Sequence, residues 1–227
     1  MRQRWAELAF LHWTVPVEAL ARRLPPGLEV DTFEGRAFVG LVPFTMTGVR
    51  PAGLPAVSWL SDFHEVNVRT YVHRGGRDPG VWFFSLDAAN SLAVGVARAL
   101  WRLPYNRARM SLARDGATIR YASDRLWPGP RPASCRVEYE PLGSPQPAVP
   151  GTVEHFLAER YILYAAAGGR LYNGRVHHPP YPLQPARAAG LDETLLAAAG
   201  LARPPDAPLV HYAQEVEVEV FALERVA

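Results

Sequence analysis

The stretch Phe63-His64-Glu65-Val66-Asn67-Val68-Arg69-Thr70-Tyr71-Val72 decides the reading of the fold. As a strand it sets Glu65, Asn67, Arg69 and Tyr71 on one face and His64, Val66, Val68, Thr70 and Val72 on the other. By itself the polar row would be a solvated face. Its neighbour argues otherwise. After the Gly- and Pro-containing loop Arg74–Gly80 comes Val81-Trp82-Phe83-Phe84-Ser85-Leu86, apolar on both faces. Such strands sit mid-sheet with both faces covered. Paired with it, the first strand would turn its polar row into an enclosed space. A carboxylate, an amide, a guanidinium and a phenol converging there would bind a small polar ligand. The charges must then be paired or solvated, because burying one alone costs several kcal/mol. Pocket and solvated face both stay open, since a one-residue slip in register exchanges the faces.

Outward from this hairpin, the chain reads as strands with a few helices inserted. A strand is expected over Arg4–Trp13, then a short helix Val17–Leu24 opened by Pro16 and stopped at Pro25-Pro26-Gly27. Leu28–Phe33 and Arg36–Phe44 flank Glu34-Gly35 as a hairpin. Asn90 or Ser91 caps a helix to about Trp101 that is apolar nearly all round except for Arg98, so burial is expected. Arg107–Ala113 and Thr118–Ser123 flank Asp115-Gly116, another hairpin. Ser134–Glu140 alternates as a strand. Thr152 caps a helix with the apolar face Val153, Phe156, Leu157, Tyr161 and Tyr164, ended by Gly168-Gly169. Arg170–His178 is extended, Asp192–Ala199 is a short helix closed by Gly200, and Glu215–Phe221 alternates strictly between Glu and Val. The pattern predicts a β-rich α+β fold: an antiparallel β-barrel or sandwich with about three to four flanking helices, one domain over 1–227. The regular β-α alternation of a doubly wound sheet is missing.

Composition narrows the function classes. The chain has 227 residues, 48% hydrophobic and 20% charged, which is ordinary for a globular protein. The longest uncharged apolar run, Ala37–Val49, is too short to span a bilayer as a helix. No secretory signal is read in Met1–Val15, and Cys135 is the single cysteine, so a cytoplasmic location is the expectation. All 24 basic residues are Arg, so a Schiff base on a lysine side chain is closed to this protein. Residues 98–136 hold nine Arg against Asp115 and Asp124, with Trp101 and Trp127 interleaved. The run matches no nucleic-acid motif and is scattered over several elements, which argues against a nucleic-acid partner.

Asp87 and Arg98 form the next candidate pair, a buried ion pair fixing helix to sheet or a part of the ligand site; Arg125, Arg160 and Arg50 are of the same type. An Arg-lined pocket prefers carboxylates or phosphates, which match the guanidinium fork. His64 lies on the Val face and reads as a core histidine; His12 and His178 stay open. The histidines have no metal-ligand spacing, and the serine-hydrolase, dinucleotide and P-loop motifs are absent, so neither a metal nor a cofactor is expected.

The order Phe63-x-Glu65-x-Asn67-x-Arg69-Thr70-Tyr71-Val72 followed by Pro79-Gly80-Val81-Trp82-Phe83-Phe84-Ser85-Leu86-Asp87-Ala88 resembles the YqjF-like family of bacterial proteins of unknown function. His12-Trp13, Leu24-Pro25-x-Gly27-Leu28, Leu103-Pro104-Tyr105, Glu159-Arg160-Tyr161 and His178 fit it too. That family is grouped with the acetoacetate decarboxylase-like superfamily. The resemblance implies a β-barrel-like sheet around a central cavity with helices outside. The superfamily's decarboxylase uses a Schiff-base lysine beside a second lysine, with a carboxylate and an arginine nearby; this chain departs from it at the lysines. The resemblance places Glu65 where the pocket carboxylate lies and lets Arg69 meet an acidic group. It also leaves a homo-oligomer open, since the superfamily decarboxylase is oligomeric.

The expectation is a small, acidic ligand in a barrel pocket, with Glu65 as general acid/base of a lysine-independent lyase or isomerase and Asn67, Arg69 and Tyr71 as ligand-binding residues, joined by Arg98 and Asp87. The rival readings are a non-catalytic ligand sensor and a structural or interaction protein whose polar row is a salt-bridge network.

Overall fold

The structure is a computed structural model and describes residues 1–51, 53 and 61–226. Its strands are β1 (Arg2–Val15), β2 (Glu29–Val30), β3 (Ala37–Arg50), β4 (Phe63–Arg74), β5 (Arg77–Ala88), β6 (Tyr105–Asp115), β7 (Thr118–Trp127), β8 (Ser134–Pro141), β9 (Ile162–Ala167), β10 (Arg170–His177), β11 (Leu183–Glu193) and β12 (Leu209–Arg225). The helices among the described residues are α1 (Val17–Ala21), α2 (Ser91–Leu100), α3 (Val153–Ala158) and α4 (Leu195–Ala198).

All strands join one sheet, and the sheet closes on itself twice. One ring runs β5-β6-β7-β8-β11-β12-β1-β3-β4 and returns to β5. The hairpin β9–β10 makes the second closure, with β9 on β5 and β10 on β12. The wall β12-β1-β3-β4-β5 is therefore shared, and in β3, β4 and the second half of β1 nearly every side chain is buried on both faces. Its side chains alternate between two cores. Leu8, Phe10, Val42 and Phe44 pack with Leu163 and Val176 of the β9–β10 hairpin. Ala9, Leu11, Val39, Leu41, Val66 and Val68 pack with Tyr121 and Val137 on the other side. This is why the second half of β1 and most of β3 read as nearly continuous apolar runs although most pairings are antiparallel. The architecture is the β-rich barrel or sandwich that the sequence predicts, doubled rather than simple. The pairings β5–β6 and β5–β9 are parallel, the first joined by α2 as a crossover.

Several local expectations are corrected. Glu34-Gly35 does turn, and Phe33 and Arg36 exchange backbone hydrogen bonds, but the chain then diverges: β2 pairs with β4, at Glu29–His73 and Val30–Val72, instead of β3. The helix expected through Tyr164 stops at Ala158, and Ile162–Ala167 is a strand. Gly168-Gly169 is the β9–β10 hairpin turn, with φ of 57° and 70°, not a helix cap. Two successive left-handed residues are what a type I′ turn requires. α2 is not buried: Val94 is its one buried residue, while Leu92 is 55% and Leu100 62% exposed. β11 follows the prolines that seemed to end extended structure there. Thr152 does cap α3, accepting from the His155 amide, and the Glu215–Phe221 alternation lies within β12 with its Val side buried.

Candidate functional site

The register settles which way the polar row points. β4 pairs with β3 at Asn67–Val42 and Glu65–Phe44, and with β5 at Glu65–Ala88 and Asn67–Leu86. Glu65 is 2%, Asn67 5%, Arg69 8% and Tyr71 0% exposed. Glu65, Asn67 and Arg69 line a cavity of about 160 Å³ in the β9–β10 lobe, whose other walls are chiefly apolar, among them Leu8, Phe44, Phe83 and Leu163. Gln3, Trp5, Tyr105 and Arg160 add polar groups to it.

Glu65 is held on the cavity wall. The Tyr105 hydroxyl donates to its Oε2 at 2.7 Å, and Asn67 hydrogen-bonds its carboxyl. The Tyr121 hydroxyl donates to its backbone carbonyl at 2.7 Å, fixing the strand beneath. Burial pushes the carboxyl up to about 8, helped by the Asp87 charge and opposed by the bonds from Tyr105 and Asn67. At neutral pH the group carries its proton, ready to give it up.

Arg69 is a buried cation. Its Nη2 donates to the Leu157 carbonyl at 3.1 Å and to the Tyr71 hydroxyl at 3.3 Å, and its Cζ lies 5.5 Å from the Phe10 ring centre. Arg125 and Arg160 have carboxylate partners, Asp87 and Asp31, but Arg69 has none among the described residues. Among the described residues its Nε has no hydrogen-bond partner. The same holds for Trp5 Nε1, Gln3 Oε1 and Asn67 Oδ1 on residues around this cavity. Unsatisfied buried donors and acceptors gathered at a hollow are the places a polar ligand would fill.

Tyr71 does not line the cavity; it sits behind Arg69. Its hydroxyl donates to the Leu157 carbonyl at 2.8 Å and lies 2.6 Å from His12 Nε2. With its proton directed to Leu157, the phenol accepts from a neutral, Nε2-protonated His12. Burial and the Arg69 charge hold that histidine well below its ordinary value. A Cβ on Gly40 would lie 2.9 Å from the His12 ring, so only glycine admits it. His178 is also buried, its Nδ1 2.8 Å from the Pro179 carbonyl and its ring against Tyr161 and Tyr181. His64 is half-buried and bonds Thr45 Oγ1 through Nδ1.

The expected Asp87–Arg98 pair does not form. Asp87 is fully buried and takes Nε and Nη2 of Arg125 at 2.8–3.0 Å, with the Asn106 amide at 3.1 Å. Neither Asp87 nor Arg98 lines the cavity. Arg98 is exposed on α2 and donates to the Tyr105 carbonyl at 2.6 Å. Asp87 stands at the end of β5 that leads into α2, but its carboxylate is taken by Arg125 while Arg98 is engaged by the Tyr105 carbonyl. Cys135 is buried, and burial pushes its thiol up, away from reactivity.

The strand row missed Gln3, Trp5, Tyr105 and Arg160. Tyr105 and Arg160 stood in segments the family resemblance had marked. Gln3 and Trp5 share a face of β1 by simple alternation, hidden by the flanking Arg2 and Arg4.

A closed sheet with an interior hollow walled by β4 defines an acetoacetate decarboxylase-like fold. Solved structures of such proteins overlay on it. An acetoacetate decarboxylase from Legionella pneumophila covers 100% of this chain and 88% of its own with TM-score 0.69 at 12% identity. The enduracididine biosynthesis enzyme MppR complexed with pyruvate covers 100% and 90% with TM-score 0.69 at 14% identity. An acetoacetate decarboxylase-like enzyme from Sphingomonas wittichii RW1 covers 100% and 92% with TM-score 0.66 at 13% identity. At such identities the likeness is one of fold. Within that fold the chain belongs to DUF2071, a family of uncharacterized conserved proteins, which it matches over residues 2–217. It is 38% identical over 225 residues to the uncharacterized protein YqjF of Bacillus subtilis (strain 168), covering 99% of this chain and 92% of that one. No helix among the described residues is long and apolar enough to cross a membrane.

Proposed function

We propose that this protein binds a small carboxylic acid in the β4 cavity and moves a proton on it, as a lysine-independent lyase or isomerase. One observation carries the reading: a protonated carboxyl, Glu65, and a buried guanidinium without a carboxylate partner among the described residues, Arg69, stand four residues apart on one face of β4, on the wall of one hollow. An anionic ligand would supply the charge that Arg69 lacks, with a gain that a water-exposed arginine could not match. The unpartnered Nε–H would donate to one oxygen of a carboxylate, while Nη2 stays anchored to Leu157 and Tyr71. Glu65, poised near 8, would give a proton to the bound acid and take one back, acting as general acid and then as base. The apolar walls would exclude water and limit the ligand to a few carbon atoms beyond its acid group. MppR has been solved with pyruvate, a small keto acid, in the same fold.

The reading is tested by thermal-shift and calorimetric titration with a panel of small hydroxy, keto and unsaturated acids, followed by proton NMR of the mixture in D2O. Saturable binding that is lost in Arg69→Met, with deuterium exchange or product formation lost in Glu65→Gln, is the expected result. Binding unchanged in both variants would sink it. Binding without exchange or turnover would make the protein a ligand sensor.

A further inference from the structure

The sheet parts beside β5. On its β4 side β5 is paired from Gly80 to Ala88, with one bulge at Phe84. On its other side two strands share it in turn: β9 pairs at Val81 and Trp82, β6 only from Leu86. Phe83, Phe84 and Ser85 have no partner strand there. The gap is a cleft of about 720 Å³, floored by Trp82–Phe84, with Pro104 on one lip and Ala165–Ala167 on the other. Trp82, Phe83 and Phe84 are only half-buried, although they belong to a central strand.

Arginines Arg23, Arg98 and Arg102 line this cleft, and no acidic residue does among the described residues. None of them is ion-paired among the described residues; they are held by neutral groups. Arg23 donates to the carbonyls of Ala19 and Gly200, Arg98 to that of Tyr105, and Arg102 stacks 4.6 Å over the Tyr172 ring. Carbonyl and ring contacts orient a guanidinium without cancelling its charge. Arg102 is also strained. It follows the C-cap of α2 with φ of 54°, a place where glycine is the usual residue. Left-handed backbone is unfavourable for a non-glycine residue, and such outliers gather at ligand sites.

We infer that this cleft binds a multiply charged phosphate or diphosphate group, free or esterified, clasped by Arg98, Arg102 and Arg23. A single carboxylate would leave most of the positive charge unmet, whereas a phosphate or diphosphate presents several acceptors to several forks. The volume admits a metabolite-sized ester. The site is separate from the β4 cavity in chemistry but adjoins it: Phe83 and Leu103 line both.

The test titrates the full chain calorimetrically with inorganic pyrophosphate and with ATP at two salt concentrations. Saturable, salt-sensitive binding is expected, weakened about tenfold or more in the double variant Arg98→Gln, Arg102→Gln. Equal affinity for both probes identifies a free inorganic anion, and tighter ATP binding identifies an ester whose organic part meets Trp82. Arg187→Gln, the loss of one arginine charge on β11 outside the cleft and so the match for a single cleft variant such as Arg102→Gly, should leave the titration unaltered. Arg102→Gly relieves the strained backbone, so it should unfold at the same or a higher temperature and still bind several-fold more weakly. Absence of saturable binding, equal weakening by Arg187→Gln, or full affinity in Arg102→Gly would each overturn the proposal.

Discussion

The Tyr105 hydroxyl donates to Glu65 Oε2 at 2.7 Å, on the floor of a hollow from which both side chains are otherwise shielded from water. That bond favours the ionised carboxyl, against the burial that raises it. Removing it in Tyr105→Phe should therefore move the Glu65 titration above its present value of about 8. Infrared difference spectroscopy of the carboxyl stretch across pH reads this. A downward or absent shift would mean that Tyr105 does not govern the group.

The same titration sets a stability slope. Glu65 keeps its proton in the folded chain up to about 8, while the unfolded chain releases it near 4.5. Below 4.5 both states are protonated and there is no penalty. Between 4.5 and 8 the unfolded state binds fewer protons, so this group makes stability fall as pH rises. At roughly 1.4 kcal/mol per pH unit over that window the full penalty is on the order of 5 kcal/mol. Glu65→Gln should thus match the parent in urea midpoint at pH 4.5 and exceed it at pH 9. Equal midpoints at pH 9 would refute a buried, proton-retaining Glu65.

Arg69 carries the opposite trade. Its charge is buried without a carboxylate, so Arg69→Met should leave the ligand-free protein as stable as the parent or more so, because the desolvation cost disappears. The Leu157 carbonyl keeps a donor in Tyr71. Differential scanning calorimetry checks it. A loss of several degrees would show that the guanidinium is a structural strut instead of a ligand group.

Histidines shape the acid side. His12, His64, His178 and His211 are all lowered by burial, so the unfolded chain takes up protons below about 6.5 that the folded chain refuses. Their contribution is present above 6.5 and lost as pH falls. His12→Asn should flatten the fall in urea midpoint between pH 6.5 and 4.5. An unchanged slope would assign it to the other three.

The polar row of β4 was legible because alternation is a property of one strand and its neighbour's apolarity told that both faces were covered. The lobes were not. Which core a face meets depends on β9–β10 reaching from β5 to β12, a pairing between segments far apart in the chain. Tyr161–Tyr164 fits a helical face as well as a strand, and the fall into strand came from the hairpin turn at Gly168-Gly169 and from pairing with β5. α2 misled in the opposite sense: its all-round apolarity reads as burial, yet only one side meets the sheet. Asp87 was read as an ion-paired strand end correctly in kind and wrongly in partner, since Arg125 comes from β7, which the sheet and not the sequence brings next to it.

Asp87 and Arg125 are 0% and 1% exposed in their side chains, and the pair ties β5 to β7 across β6. Asn106 adds an amide from β6, and its own Oδ1 accepts the Gly129 amide. Breaking such a pair leaves a buried charge alone, so Asp87→Asn should lower stability by about 3–5 kcal/mol. The exposed pair Arg136–Asp124 has similar length, 2.8 Å, and should cost less than about 1 kcal/mol in Asp124→Asn. Urea denaturation of both variants gives the contrast. Since Asp87 lies outside the cavity lining, any acid bound there should keep its affinity in Asp87→Asn as long as the variant is folded. Equal, small losses in the two variants would show that water reaches the buried pair, and a selective loss of ligand affinity in Asp87→Asn would bring Asp87 back into the binding site.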